Sequence, residues 1–599
     1  GNSALETWKT DMSVLQIGGD GSIAAKTTAA AGNDFFIARN AYWDSTNNRW
    51  EYMSTNGDDE AERLVMANGT YAFDLTGTAG ADDAAITFTT ALQLDSNSRI
   101  SLSNNDAGGD NANTIFGKLA GASTATGAAG NVLIGEEAGN DLTIADHNTV
   151  VGYQAFDLVT TLADGNTSIG WQSMHGSIVA ENVDNCVAIG KQSLTGALES
   201  EASGSVAVGY SALAALTSGA GNTAVGYSAG QAITDGDYNT VLGYNAFITA
   251  DSGEGYNTVI GWEAGKTVNH PTADHNVFIG AKAGYGQTGY VLGECVAIGS
   301  ECFDGTGANS ITGVVAIGKG AMSGVVESTA NGSVAIGGYA LTALTSGAGN
   351  VAVGYQAGLA LTTGSSNTVL GHGALDDMVE GGNNIAIGKN AIGGALDATA
   401  DASTHNVAVG KDALGGAWVT AVSEKNVGIG NETLMGAMNG VTGAVAIGHS
   451  ALTALTTGAG NVAVGYSSLA ANTGGGYNIA IGYNSMLVHD GGLRNIAIGY
   501  GAMDDTDAGS VSKASDDNVF IGYSAGGGTW ANQDNSNCIG IGTSALSGAL
   551  EGNNTDGSIA IGSSALAALT SGAGNVAVGY TAGAEEVAGN DNTMIGYEA

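Results

Sequence analysis

The chain of 599 residues has a single proline, few aromatic side chains and little positive charge. Aromatic residues make up 6% of the chain and charged residues 12%, which is too little of both for a conventional set of globular domains. No run of 18 apolar residues is present, so we expect no membrane insertion. The 16 basic residues face 57 acidic ones. Because nucleic acid binds positive surfaces, the net charge of −41 argues against it as a partner.

Glycine is abundant instead, with 99 residues, and from Asn113 onward it marks a repeat. The unit is a small polar residue, a β-branched residue, a usually small apolar residue, an apolar residue and glycine, as in Asn350 to Gly354. It occurs 27 times at spacings of 17 to 23 residues. Self-similarity of this kind is the signature of a solenoid. We predict an all-β parallel β-roll, or β-solenoid, of about 27 short coils over residues 113–599. Stacked at about 4.8 Å per layer, these coils make a rod on the order of 130 Å long.

Both faces of the repeat strand are apolar. The residues three and one before the glycine, such as Val351 and Val353, lie on one side of an extended strand, and we expect that side to form the core of the coil. The residue between them is usually Ala, as at Ala352. Strands that are apolar on both faces are buried on both faces. The Ala side is therefore expected to pack against a partner chain, and a homotrimer is the economical arrangement.

The rest of the coil predicts a corner, a bend and a return. The residue four before the glycine is Asn in 19 of 27 repeats, which indicates a corner where side chains bond along the axis. The residue after the glycine is often charged or aromatic, so the glycine must reset the facing of the strand. Small and apolar residues follow, and we predict a second short strand there. Enlarged loops near Leu194 to Ser203 and Asp504 to Asp517 are natural places for specific contacts.

Residues 1–112 do not follow the repeat, and we predict a β-rich N-terminal region there. The segments Leu15 to Ile23 and Leu92 to Ile100 each indicate strand, tight turn and strand, and Tyr42 to Tyr52 indicates an aromatic hairpin. At the other end the last coil stops at Ala599 in mid-turn, from which we expect a longer natural protein.

One column of the repeat predicts a binding site. The residues directly after the glycine are aromatic in two runs of four consecutive coils. Aromatic ladders are common stabilisers between strands, and they also serve as platforms on which sugars stack, so both interpretations stay open. The candidate glycan contacts are Tyr210, Tyr227, Tyr244, Trp262, Tyr466, Tyr483, Tyr500 and Tyr523.

Other motifs indicate no catalytic or cofactor site. The stretch Gly219 to Ala224 fits a dinucleotide fingerprint, but it leads into a strand where that fingerprint requires a helix. No set of catalytic residues can be singled out, so we expect no enzyme activity, no cofactor and no metal. Calcium in turns such as Gly236 to Asn239 stays open as an alternative. A metal or anion held on a trimer axis by His147, His275 and His405 competes with the simpler interpretation of solvated turns. We expect the four cysteines to fill space in small-residue columns, namely Cys186, Cys295, Cys302 and Cys538.

Two families carry similar residues. Units such as Asn384 to Gly388 and Ser333 to Gly337 resemble the head repeats of trimeric autotransporter adhesins, whose fold is a left-handed parallel β-roll in a trimer. The same units joined to Ala84 to Asp95 and to the Tyr42 to Tyr52 hairpin are similar to tail fibres of bacteriophages. The repeat resemblance covers about four-fifths of the chain, and the shorter N-terminal resemblance favours the phage.

These resemblances imply a non-enzymatic, homotrimeric fibre of a phage virion, which spans distance and mediates attachment to a host cell. Its partners would be copies of itself, other virion proteins and a glycan or protein receptor on the host surface. The alternatives are the head of a bacterial surface adhesin and a fibre-borne glycan depolymerase. Its location would be extracellular, on the virion or, in the first alternative, on the bacterial surface.

Overall fold

The computed structural model describes most of the repeat and part of the N-terminal region. The described residues are 5–9, 12–17, 21–26, 35–39, 41–44, 49–52, 61–67, 70–76, 85–94, 100–102, 113–124, 128–159, 162–178, 182–286, 290–305, 310–394, 401–506, 515–530, 534–550 and 555–599. The fold there is all-β, with helix limited to two short 3₁₀ segments, Ser200–Ala202 and Ser328–Ala330. Two compact units are present, Gly1–Ser211 and Ala212–Ala599, and each is described by itself.

The first unit begins with antiparallel strands. They are β1 (Leu5–Lys9), β2 (Met12–Ile17), β3 (Gly21–Lys26), β4 (Phe35–Arg39), β5 (Ala41–Asp44), β6 (Arg49–Tyr52), β7 (Glu62–Ala67), β8 (Thr70–Leu75), β9 (Thr89–Leu94) and β10 (Ile100–Leu102). Eight of them form one sheet in the order β1-β2-β3-β4-β7-β8-β9-β10, and β5 pairs with β6. The strand pairings of the three predicted hairpins are confirmed, since β2 pairs with β3, β9 with β10, and β5 with β6, whereas their turns lie outside the described residues.

Parallel strands follow in the same unit, each three residues long. They are β11 (Thr114–Phe116), β12 (Val132–Ile134), β13 (Thr149–Val151), β14 (Thr167–Ile169), β15 (Val187–Ile189) and β16 (Val206–Val208). Successive strands pair in register, for example Thr114 with Val132. The antiparallel strands therefore end at Leu102 and the parallel ones begin at Thr114, on either side of the boundary that the sequence predicts.

The second unit continues the same pattern. Its strands are β17 (Thr223–Val225), β18 (Thr240–Leu242), β19 (Thr258–Ile260), β20 (Val277–Ile279), β21 (Leu292–Gly293), β22 (Val296–Ile298), β23 (Ile311–Thr312), β24 (Val315–Ile317), β25 (Val334–Ile336), β26 (Val351–Val353), β27 (Thr368–Leu370), β28 (Ile385–Ile387), β29 (Val407–Val409), β30 (Val427–Ile429), β31 (Val445–Ile447), β32 (Val462–Val464), β33 (Ile479–Ile481), β34 (Ile496–Ile498), β35 (Val519–Ile521), β36 (Ile539–Ile541), β37 (Ile559–Ile561), β38 (Val576–Val578) and β39 (Thr593–Ile595). The small strands β21 and β23 pair only with each other. Together the units hold 27 parallel repeat strands, which confirms a β-solenoid.

The repeat glycine is required by the stacking of the coils. Gly226 has a φ of +142°, a conformation that L side chains rarely adopt. A Cβ added there would lie 2.3 Å from the carbonyl oxygen of Gly243 in the next coil. The chain turns at this point and the following residue, Tyr227, is exposed. The chain bends at the glycine as predicted, but Tyr227 faces outward as Val225 does, so the expected change of facing is not observed.

The predicted second strand is wrong. In the coil that follows Gly448, left-handed residues alternate with ordinary ones, Ser450 at φ +56° and Leu452 at φ +52°. Such alternation bends the chain too tightly for an extended strand. The segment still bonds to both neighbouring coils, because Ser450 N–H donates to the carbonyl of Asn431 and Leu452 N–H to that of Ser468.

The corner column is a ladder of buried asparagines, as predicted. The backbone and side-chain N–H groups of Asn495 both donate to Oδ1 of Asn478, at 2.9 and 3.1 Å. The side chain also donates to the carbonyl of Ser515 at 2.7 Å. The residue before the corner Asn has a left-handed backbone, for example Arg494 at φ +60°. Asn is selected here for its hydrogen bonds to the next coil.

The prediction of which strand face is core is also wrong. In β16, Ala207 is fully buried and both Val206 and Val208 are partly exposed. All 27 repeat strands expose their first and third residues to some degree. The Ala column, with Ala352 in it, therefore points into its own coil, and the β-branched columns point outward. The interior is narrow, and the Ala column leaves room for the fourth residue after the glycine, such as the buried Leu213.

Exceptions to the Ala column show how tightly the interior is filled. Phe278 and Phe520 are both fully buried in that column. The fourth residue after the repeat glycine is then Gly284 or Gly526, where a Cβ would lie 2.4 or 2.6 Å from the phenylalanine ring. In these two coils the phenylalanine on one wall is therefore matched by glycine on the other, as close packing requires.

Candidate functional site

The outward side of the repeat strands is an apolar face with no charge. We call it the outer face; it consists of the first and third residues of each of the 27 repeat strands. Every one of these residues is Val, Ile, Leu, Phe or Thr. Ile481, for example, is 38% exposed and Leu370 47%. In the second unit alone the outer face has two such columns over 21 repeat strands.

The size of this face is the reason to treat it as functional. With roughly 50 Å² left exposed on each of about 40 side chains, its apolar area is on the order of 2,000 Å², whereas monomeric proteins rarely expose apolar patches above a few hundred Å². No described residue covers this face, because the exposed fractions quoted above are those that remain with the rest of the chain in place. An exposed apolar surface of that size is the mark of an interaction surface.

The predicted glycan contacts lie directly beside the outer face, in the column after the repeat glycine. They are exposed, as predicted: Tyr210, Tyr227, Tyr244, Trp262, Tyr466, Tyr483, Tyr500 and Tyr523. The last four form a continuous stack with centroid distances of 5.0, 5.2 and 5.2 Å and interplanar angles of 5 to 9°. Tyr227 and Tyr244 stack in the same way, at 5.1 Å.

This stacking changes what the column offers to a ligand. Each inner ring of the longer stack, Tyr483 and Tyr500, has a neighbouring ring on both faces. His449 covers the remaining face of Tyr466 at 5.2 Å. A sugar ring that stacks needs a free aromatic face, so these three positions present their ring edges and hydroxyls instead. The ladder stabilises the coils, and its glycan role stays a prediction that rests on hydroxyl contacts.

Lysines interrupt the same column and contact its aromatic rings. Lys191 Nζ lies 4.3 Å from the ring centroid of Trp171 and 5.7 Å from that of Tyr210. Lys282, one position further along its coil, lies 5.4 Å from the ring of Trp262. Cation–π contacts of this kind hold exposed rings in place. Trp262 and Tyr210 therefore each have a cationic neighbour.

A second ladder escaped the sequence analysis. Tyr238, Tyr256 and His275 stand just before the corner Asn in three successive coils, with ring distances of 5.4 and 5.0 Å. All three have a left-handed backbone, with φ between +53° and +59°. Their positions resemble ordinary polar turn residues in sequence. The signal that could have found them is the spacing, which equals the local repeat.

Of the two enlarged loops, the structure describes one fully and the other only in part. Ser200–Ala202 forms a 3₁₀ turn inside the Leu194 to Ser203 loop, and Ser203 Oγ donates to the carbonyl of Ser200 at 2.6 Å. The loop from Asp504 to Asp517 lies partly outside the described residues, which resume at Ser515.

No group of three or more potential metal ligands occurs among the described residues. The carboxylate of Asp237 in the Gly236 to Asn239 turn accepts the N–H of Ala220 at 2.7 Å. His275 stacks on Tyr256, and His147 and His405 occupy left-handed corner positions. The four cysteines are free and buried, and burial raises the pKa of Cys186 to about 11. A buried thiol with a raised pKa stays protonated at neutral pH and is a poor nucleophile.

Two carboxyl groups with raised pKa values, Glu254 and Asp157, are buried in the coils. Burial raises the pKa of Glu254 to about 7, and neither of its carboxylate oxygens has a hydrogen bond of normal geometry among the described residues. Burial also raises the pKa of Asp157 to about 6, although His175, at 3.4 Å, opposes the shift. These groups show the cost of burying charge in a narrow solenoid.

Comparisons with family models, curated proteins and solved structures found no match to this chain. Within the described residues, no helix has the length and apolar character needed to cross a membrane.

Proposed function

We propose that this chain is a structural fibre subunit that assembles with two further copies through the outer face. The single observation that carries the proposal is the apolar outer face, which runs without a charged residue through all 27 repeat strands. Apolar burial of this extent drives association without help from directed polar contacts.

The distribution of charge supports a copy of the same chain as the partner. Each chain has a net charge of −41, so two copies repel each other at most orientations. The outer face carries no charge, so two copies can approach each other along it without this electrostatic repulsion. A trimer of such rods keeps the acidic residues outside, where they prevent further aggregation.

The fibre belongs, in this proposal, to a phage virion and attaches it to the host surface. Other virion proteins would hold one part of the fibre, and a glycan or protein receptor would bind another. The support is the resemblance of the repeat units and of the Tyr42 to Tyr52 hairpin, together with exposed tyrosines along the rod. The head of a bacterial adhesin uses the same rod, and gene neighbourhood separates these two origins.

The attachment role is tested by adsorption of the protein to host cells and to glycan arrays. Two triple variants at Tyr466, Tyr483 and Tyr500 separate the contributions of the column. Changing all three to Phe removes only the hydroxyls and keeps the stack, whereas changing all three to Ser removes the rings as well. If the hydroxyl edges bind the receptor, both variants lose adsorption, with folding checked in each by circular dichroism.

Recognition would lie in the Leu194 to Ser203 loop instead if the triple Phe variant adsorbs as the wild type does and deletion of that loop abolishes adsorption. Adsorption that survives both changes would contradict attachment through this part of the chain. Release of reducing ends from host polysaccharide would show the depolymerase alternative to be correct.

A further inference from the structure

Where the structure describes its side chains, across β4, β7 and β8, the antiparallel sheet of the N-terminal region has one covered face and one open face. Side chains alternate along its strands, and in β8 Ala72 and Asp74 are buried whereas Phe73 is half exposed. In β4 the same alternation buries Phe36 and exposes Ile37. The two faces therefore have different environments.

The covered face packs against the β5–β6 hairpin. Phe36 lies edge-on to Trp50 at 5.3 Å, and Trp50 lies edge-on to Phe88 at 5.9 Å. Arg63 extends over these rings, 4.1 Å from the centroid of Phe88, and its Nε donates to Asp74 Oδ2 at 2.7 Å. The charge of Arg63 is thus paired with Asp74, and the guanidinium lies over the aromatic rings of this face.

The open face is apolar and aromatic. Its transverse row runs from Ile37 through Leu64 to Phe73, which are register partners in β4, β7 and β8. Tyr71 is 53% exposed and Phe73 51%. No described residue covers this row. We use the term open face for Ile37, Leu64, Met66, Tyr71, Phe73 and Leu75.

We propose that the open face packs against the open faces of the other copies in the fibre, as a contact separate from the outer face of the rod. This inference rests on the proposed homotrimer, because the partner is a second copy of this chain. It adds a second interface, built from aromatic residues of an antiparallel sheet.

Charge favours a copy as the occupant. Among the residues whose side chains the structure describes, the charged ones beside the open face are Arg39 and Glu62, which pair at 3.7 Å at its edge, so the described patch is neutral. A basic partner would be attracted to the acidic surface elsewhere on the chain and has no reason to select this patch. A neutral apolar patch is where copies of a chain with a charge of −41 meet without repulsion.

The small area of the open face indicates that this contact forms only between copies that are already assembled in the fibre. The exposed apolar surface of the open face is on the order of 500 Å², less than the roughly 800 Å² per partner of a stable interface. Copies already joined along their rods have a high effective concentration for each other, and a contact too weak to form alone then becomes populated.

Crosslinking of single-cysteine positions tests the proposal on the full chain. All four native cysteines are buried, so an introduced surface cysteine is the reactive one. Ile37→Cys places it at the centre of the open face, and Thr87→Cys is the control, exposed but outside that face. Packed sheets lie about 10 Å apart, so a bismaleimide of about that reach should link Ile37→Cys copies into dimers and trimers.

The expected result is that Ile37→Cys crosslinks and is protected from a maleimide polymer, whereas Thr87→Cys does neither. In a preparation that sediments as a trimer, labelling of Ile37→Cys as fast as Thr87→Cys would overturn the proposal and leave the rod trimer standing. Protection without crosslinking would overturn it as well, because another part of the same chain would then cover the face. A monomeric preparation would overturn the proposed homotrimer and this contact together.

Discussion

The size match between the two walls of a coil can be tested by exchanging one matched pair for another. Phe278 and Gly284 face each other in one coil, and Ala335 and Leu341 occupy the same two positions in another. The backbone is alike in both, with φ of +60° at Gly284 and +48° at Leu341. The N–H of each donates to the next coil at 3.0 Å. Replacing the first pair by the second therefore changes packing and leaves backbone geometry alone.

The single changes should both be costly. Phe278→Ala leaves a cavity at a fully buried site and should cost about 3 to 5 kcal/mol. Gly284→Leu places a side chain where even a Cβ would lie 2.4 Å from the Phe278 ring, and overpacking of this kind should cost about 3 kcal/mol. The double variant approximates the Ala335 and Leu341 arrangement and should cost less than about 1.5 kcal/mol, because total volume is nearly conserved.

Native-state hydrogen exchange is the suitable assay, because a long repeat array does not unfold in one step. The amides of β19, β20 and β22 report the local free energy of opening around Phe278. The three variants then give a coupling energy of several kcal/mol, well above that of independent sites. If the costs of the single variants simply add in the double variant, the two walls do not share one volume and the interior description is wrong.

Three further predictions concern buried polar groups. Burial lowers the pKa of His489 from 6.5 to about 4, so neutral His489 stabilises the fold fully above pH 6.5, and about 3 kcal/mol of the free energy of unfolding is lost as the pH falls to 4. His489→Leu should abolish this part of the pH dependence of the melting temperature. An unchanged pH dependence would show that other groups cause it. Asn367→Ala should lower the local free energy of unfolding by about 3 kcal/mol, because the Asn384 N–H and the carbonyl of Gly381 lose their hydrogen-bond partner. The measurement is amide hydrogen exchange, which should become faster only at Asn384 and its neighbours. The rod should stay folded when all four cysteines, Cys186, Cys295, Cys302 and Cys538, are changed to Ser. A stoichiometric metal found in the wild type by elemental analysis would refute a purely structural role for them.

The stacked part of the fold could be predicted because each coil repeats the same constraints. The repeat glycine and the corner Asn depend on the coil above or below, so they recur at the repeat spacing and are visible in the sequence. The N-terminal hairpins were also visible, since tight turns separate short alternating segments. These features need only local chemistry and periodicity.

The facing of the strands could not be predicted, because both faces are apolar and periodicity does not distinguish inside from outside. The deciding fact is the narrow interior of the coil, in which the small Ala207 lies beside the larger Leu213. The left-handed residues were hidden too, since Leu and Ser at those positions have no sequence mark. For the tyrosine column the sequence indicated exposure, but the stacking that covers the faces of Tyr483 depends on coil spacing.

In the proposed assembly, the outer face is covered by two further copies of the chain. Sedimentation equilibrium of the wild type, of Ile481→Asp on that face, and of Thr457→Asp in an exposed turn tests it most directly. We predict a wild-type mass of three chains, the same mass for Thr457→Asp, and dissociation of Ile481→Asp, because three unpaired carboxylates would be buried together. A monomeric wild type, or an Ile481→Asp variant that assembles as the wild type does, would contradict the claim.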